Sequence, residues 1–144
     1  MQGEIGAGIN VLEQAISKNE KEGYRDLADL CRLLVSELYL RIISGNEKLP
    51  LGVLLKNLPI LLKVMVTAPS RIRALIAQIR QNPHFDPTGH HIGRAQMNLG
   101  LLYKVKKNRE LAVQHLTEAK RILSQFGQTP ILARVDAALA ELQR

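Results

Sequence analysis

One stretch of this chain is written twice. "LEQAISKNEKEG" (Leu12–Gly23) lies over "LTEAKRILSQFG" (Leu116–Gly127), with Leu12 on Leu116, Ala15 on Ala119 and Gly23 on Gly127. Carried past the glycine at the same offset, "LLVSEL" (Leu33–Leu38) falls on "AALAEL" (Ala137–Leu142). A third relative of that second element is "MNLGLLY", in which Leu99-Gly100-Leu101-Leu102-Tyr103 matches Val35 to Tyr39. A unit that recurs in this way cannot bury its apolar face alone and needs its neighbours to do so. The repetition constrains the fold to stacked copies of one kind of helix pair, with a segment from Lys48 to about Gly89 inserted between them. It also raises a question about Gly100, since a glycine inside a helix costs about 1 kcal/mol relative to alanine. The matched positions are Ser36 and Ala140, both small, and Gly8 likewise falls on Ala112. The three small residues at the Gly100 position predict a close helix–helix crossing there, where overpacking costs about 1–3 kcal/mol.

The apolar spacing predicts seven helices and no strand. The first runs from about Glu4 to Glu22 on a stripe of Ile5, Ile9, Leu12 and Ile16, and stops at Gly23. The second runs from about Arg25 to Ser44 on Leu27, Leu30, Cys31, Leu34, Leu38 and Ile42, and stops at Gly45. Glycine at these ends suits a left-handed stop. The third lies within Leu51–Val66, with Leu51, Leu54, Leu55, Leu58, Leu61, Leu62 and Met65 expected at the centre of the core and Pro59 as a kink or a break. The fourth spans about Ser70 to Gln81 on Ile72, Leu75, Ile76 and Ile79. "NPHFDPTG" reads as loop, with Asp86-Pro87 as cap and first residue of a fifth helix that reaches about Lys106. The sixth runs from about Arg109 to Phe126 behind an Asn108 cap, and Thr129-Pro130 opens the seventh.

Leu99, Gly100 and Tyr103, followed by Ala112, Leu116 and Ala119, resemble the tetratricopeptide repeat. That family sets an aromatic residue, Leu-Gly, Tyr, Ala, a large apolar residue and Ala at these relative positions across two antiparallel helices. Gln96 stands where the family often has tryptophan, and Ser124 where it often has proline, so the copy is divergent. The resemblance covers Gly93–Phe126 best, and the inserted segment does not fit a standard repeat. It implies an all-α fold of antiparallel helix pairs, a right-handed superhelix or bundle of about seven helices, in one repeat-like domain over residues 1–144. More loosely, the order of short repeat, apolar insert with Leu-Pro and closing repeat is similar to the C-terminal helical tails of bacterial multidomain proteins that carry a class III nucleotide cyclase and an ATPase domain. No catalytic part of such a protein is present in these residues.

The chain has 144 residues, 46% of them apolar, enough for one domain with a real core. Its net charge of +7 is uneven. Met1–Glu47 has five basic and eight acidic residues, Lys48–Arg109 eleven basic residues against Asp86 alone, and Glu110–Arg144 four of each. The basic middle suits an acidic partner, nucleic acid, anionic lipid or an ordinary solvated face. Only Phe85 and Tyr103 are aromatic in that segment, so base stacking has little to work with, and nucleic-acid binding through residues 48–109 is the alternative reading. No phosphate-binding loop, no nucleophile motif and no paired acids for proton transfer are present. His84, Asp86, His90 and His91 cluster without cysteine and at no standard ligand spacing. These readings point to a non-enzyme with no cofactor and no bound metal. Cys31, the only cysteine, reads as a small buried hydrophobe. "LPLGVLLKNLPILLKVMVTAP" is interrupted by Lys56, Lys63 and Pro59 and reads as a buried helix rather than a membrane span. With no signal-peptide pattern at the N-terminus, a cytoplasmic location is expected.

The expected function is a protein–protein interaction or scaffolding module of a larger protein. Within the fifth helix Ile92, Ala95, Leu99 and Leu102 form the packing face, and Arg94, Met97, Leu101 and Lys104 lie roughly opposite. An exposed Met and Leu between basic residues would suit an acidic protein or peptide, and in the family this face of the first helix lines the concave surface. Further helix–helix packing is the competing use of the same face. The first helix matches the second member of the later pair, so its own first member is missing. The chain therefore reads as the C-terminal fragment of a longer protein, able to self-associate through the flank of Ile5, Ile9 and Leu12.

Overall fold

A computed structural model describes residues 5–45, 51–82, 89–127 and 129–144. Among them are six α-helices, one 3₁₀ turn and no strand: α1 (Ile5–Lys21), α2 (Arg25–Ser44), α3 (Leu51–Arg80), α4 (His90–Val105), α5 (Arg109–Leu123), the turn Ser124–Phe126, and α6 (Pro130–Gln143). The chain divides into two compact units, Met1–Asn82 and Pro83–Arg144.

In the first unit α2 packs against both α1 and α3. The expected third and fourth helices are one helix, which passes through Pro59 and Pro69. Each proline removes one amide donor, freeing the carbonyls of Leu55 and Met65 four residues earlier. Both residues are on the exposed side, so water can take the place of the missing bonds. The expected face of α2 is also corrected. Ala28, Asp29, Arg32, Leu33, Val35, Ser36, Tyr39 and Leu40 are buried, while Leu27 and Leu34 are exposed and Cys31 is half-buried. A helix held on two sides buries a wider arc than one apolar stripe, and here that arc takes in charged residues. On α1, Ile9 and Ile16 are buried as the stripe predicts. Ile9 is 5% exposed, and a Cβ on Gly6 would lie 2.6 Å from Cδ1 of Ile60 on α3, so the flank expected to stay open is largely covered within the chain.

In the second unit α5 packs against α4 and α6. Gly93 lies against Ile122 and Leu123, and Gly100 against Leu116, so α4 and α5 run in opposite directions. The α4–α5 turn closes with Lys107 at φ 58° and with Asn108 accepting from Leu111 N–H at 3.1 Å. Thr129 caps α6 in the same way, accepting from Leu132 N–H at 3.2 Å, with Pro130 next. The start of α4 differs from expectation. Asp86-Pro87 lies outside the described residues, and Gly89 is the N-cap, its carbonyl accepting from Gly93 N–H at 3.3 Å. The matched glycines Gly23 and Gly127 both adopt positive φ, 82° and 81°.

The core of this unit joins Met97 of α4, Leu116, Ala119 and Leu123 of α5, and Leu132, Val135 and Ala138 of α6. Leu99, Gly100, Ala112, Leu116 and Ala119 are buried, and Tyr103 is half-buried, stacked on His115 at 5.4 Å with the rings 6° from parallel. Gln96, in the position of the family's tryptophan, is buried and meets His115 Nδ1 at 2.7 Å through its side-chain oxygen. Ser36 is fully buried, whereas Ala140 is exposed, so the close-crossing reading does not extend to Ala140.

Candidate functional site

The most unusual surface belongs to α3. Its buried row is Asn57, Leu61, Val64, Ala68, Ile72, Leu75, Ile76 and Ile79, close to helical spacing along the whole length. Of the seven apolar residues expected in its N-terminal core stripe, only Leu61 is buried. Leu51, Leu54, Leu55, Leu58, Leu62, Met65 and Val66 form a second row on the exposed side, with Leu62 at 56% and Val66 at 82% exposure. Lys56, Lys63, Thr67 and Ser70 line one flank of this row. Further along, Val66, Arg73 and Arg80 recur at seven-residue steps, so two exposed arginines continue the apolar row on nearly the same face. α3 carries five basic residues, Lys56, Lys63, Arg71, Arg73 and Arg80, and no acidic one. Arg71 is engaged by Glu13 of α1 at 2.9 Å.

A surface row of this kind is what a docking site for an apolar partner needs: monomeric proteins rarely leave large contiguous apolar patches open to water. By length and composition α3 could also cross a membrane, and only 17% of its apolar window is buried, so the reading of this segment as a buried helix is corrected. The two lysines argue against a span. Lys56 and Lys63 would each sit within about 6 Å of the bilayer centre, where a charge costs about 2.5–3.5 kcal/mol even on insertion scales.

The first unit also holds a polar cleft that the sequence reading missed. Arg32, 5% exposed, donates from Nε to Gln78 Oε1 at 3.1 Å and from Nη1 to Asp29 Oδ1 at 2.7 Å, and its Nη2 donates to Glu20. Asp29 Oδ2 accepts from Asn82 at 2.7 Å. These residues and Arg25 border a cavity of 340 Å³. With all three guanidinium nitrogens engaged on α1, α2 and α3, the arrangement acts as a lock between helices. A second tie joins the same three helices, where Glu13 accepts from Arg71 and faces the Tyr39 hydroxyl at 3.4 Å. Burial and the Glu13 charge raise the Tyr39 hydroxyl above its usual range. The only trace of the Arg32 lock in the sequence is an Asp-Arg pair three apart amid leucines, a spacing equally common on solvated faces.

The four residues expected to meet a partner lie elsewhere, on α4. Met97 is 1% exposed, Leu101 packs on the core that α6 completes, Lys104 is ion-paired with Glu141 of α6, and Arg94 is half-buried. The expectation of an exposed Met97 is therefore corrected: α6 brings its own apolar stripe, Leu132, Val135 and Ala138, and takes that face. Of the histidine cluster, His84 and Asp86 lie outside the described residues, as does Phe85. His90 is T-stacked on Phe126 at 5.5 Å, and burial followed by the charges of Arg94 and His91 pushes its pKa down. Among the described residues no three metal-ligating side chains come together. No family model, characterised protein or solved structure matches the chain.

Proposed function

We propose that this chain is a non-catalytic protein-interaction module, a tetratricopeptide-like scaffold within a larger cytoplasmic protein, and that it receives its partner on α3. The observation that carries this reading is the exposed row from Leu51 to Val66, seven large apolar side chains on one face of one helix. The reading moves the binding surface away from Arg94, Met97, Leu101 and Lys104: α6 covers Met97 and Leu101 and pairs with Lys104, and Arg94 is half-buried. The repeat residues then serve the scaffold: Gly100 and Leu116 set the α4–α5 crossing, and Leu99, Tyr103, Ala112 and Ala119 fill its surroundings. The test places a photo-reactive amino acid at Leu62 or at the exposed control Gln114 of the protein in its native cells. Polypeptide adducts at Leu62 and not at Gln114 are expected. Adducts at neither position, equal adducts at both, or adducts with lipid alone would refute the reading.

A further inference from the structure

We infer that the partner on α3 is an amphipathic α-helix with an apolar stripe followed, toward its N-terminus, by acidic residues, lying antiparallel along the row from Leu51 to Arg80. This rests on the interaction-module reading and adds the partner's chemistry. The row follows the helix axis for about 22 Å, from Leu51 to Val66, at 1.5 Å per residue. A second helix can cover such a row along its length with all its own backbone bonds made, its side chains entering at i, i+3, i+4 and i+7. Where the apolar row ends, Arg73 and Arg80 continue it, both exposed and with no acidic residue anywhere on α3. A partner lying along the row meets those two guanidinium groups next, and carboxylates there give charge-assisted hydrogen bonds. Antiparallel placement sets the partner's N-terminal turn beside them. Acidic residues in that turn also complement the partner's own helix dipole.

The same geometry disfavours the other occupants. A second copy of α3 laid parallel would set Arg73 and Arg80 against their own kind. Laid antiparallel, it would set them against the leucines of the opposite copy, burying charge without a counter-charge. A helix resting on a bilayer keeps its basic residues beside the apolar face, where they reach the headgroups. Here Lys56 and Lys63 do lie beside it, but Arg73 and Arg80 lie in line with it beyond the end of the apolar row, where a bilayer surface would have to take them with the leucines.

The experiment uses the full chain and two labelled peptides as long as α3. Both carry leucine at i, i+3, i+4 and i+7 over their C-terminal half; one has glutamates and the other lysines at the matching N-terminal positions. Fluorescence anisotropy should show the glutamate peptide binding about tenfold more tightly or better. Arg73→Glu with Arg80→Glu should reverse that order. Leu55→Ser with Leu62→Ser, at exposed positions where folding is retained and checked by circular dichroism, should weaken both peptides by about tenfold or more. Equal binding of the two peptides, or an order that the arginine changes leave intact, overturns the acidic partner and leaves the interaction-module reading standing. Binding of neither peptide overturns the helical partner, and the cross-linking at Leu62 then decides the interaction reading separately. Leu62-dependent retention on phosphatidylglycerol vesicles without peptide binding overturns it in favour of a lipid surface. Dimerisation abolished by the serine pair overturns it in favour of a second copy.

Discussion

Replacing Gly100 by alanine sets two effects of known size against each other. Alanine inside a helix is favoured over glycine by about 0.8–1.0 kcal/mol, so at an open site the change stabilises. At Gly100 the added Cβ would stand 2.5 Å from Leu116 Cγ, 2.9 Å from its Cδ2 and 3.0 Å from its backbone nitrogen. Carbon atoms rest at about 3.5–4.0 Å, so the contact must open by about 1 Å. Rotating Leu116 relieves the side-chain clash but not the backbone one, so α5 itself must shift. Overpacking of this kind costs about 1–3 kcal/mol, with the upper half expected when backbone must move. The net effect is a loss of about 1–2 kcal/mol, and Gly100→Leu should lose more, against almost no change for the exposed Gln114→Leu. Because the chain has two compact units, a single melting curve need not be two-state, and amide exchange over α4 and α5 is the better assay. Two comparisons sharpen the test. Gly8→Ala, with nothing within 4 Å, should stabilise α1 by about 0.5–1 kcal/mol. In a Leu116→Ala background, which opens a cavity, Gly100→Ala should turn from destabilising to stabilising. If Gly100→Ala stabilises the wild-type background as Gly8→Ala does, the close crossing is not why glycine stands there.

Three further outcomes are expected. Arg32→Met should cost the first unit about 3–5 kcal/mol in urea unfolding, because it leaves Asp29 charged and buried without its partner; adding Asp29→Leu should recover part of that loss. His90, whose pKa is lowered by burial and then by Arg94 and His91, binds its proton less tightly folded than unfolded. Its contribution is therefore complete above the unfolded value of about 6.5 and is lost as pH falls through the folded value, a slope that His90→Gln should flatten in unfolding titrations run downward from neutral pH. Nucleic acid should be retained weakly and only at low salt, since Tyr103 is stacked on His115; sub-micromolar, sequence-selective binding at physiological salt would overturn the interaction-module reading.

Where polar and apolar residues alternate with helical period, the sequence marks the inner face. The stripe through Ile9 and Ile16, the caps Asn108 and Thr129, and the stops at Gly23 and Gly127 were legible for that reason. Leu51–Met65 carries too few polar residues to fix which side faces in, and periodicity cannot choose between two apolar rows on one cylinder. The inner row is the one that meets α2, a tertiary fact with no local signature. The α2 error has the opposite origin. A stripe drawn through apolar residues alone puts Leu27 and Leu34 in the core and omits Arg32 and Asp29, whereas mutual pairing makes those two charges tolerable inside. The reading of Met97 as exposed failed because α4 was treated alone, without counting the stripe that α6 must bury.

The exposure of α3 has a thermodynamic consequence. Burying a large apolar side chain fully is worth about 1.5–3 kcal/mol, so covering seven partly exposed ones could yield roughly 6–12 kcal/mol that folding of the described residues does not use. Association costs about 4–15 kcal/mol in lost motion, and side-chain ordering adds to that. Set against each other, these ranges run from a net cost to a surplus of about 8 kcal/mol, on a helix already formed and held by the Arg71–Glu13 tie and the Arg32 lock. Discrimination among apolar partners then comes from polar contacts that only the right one makes, and Arg73 and Arg80 are the groups placed to make them. An apolar row that supplies attraction, ending in two charges that reward one kind of partner, separates attraction from selection. Aggregation through the row is opposed by the five positive charges of α3, while a helix of opposite charge gains from the same field.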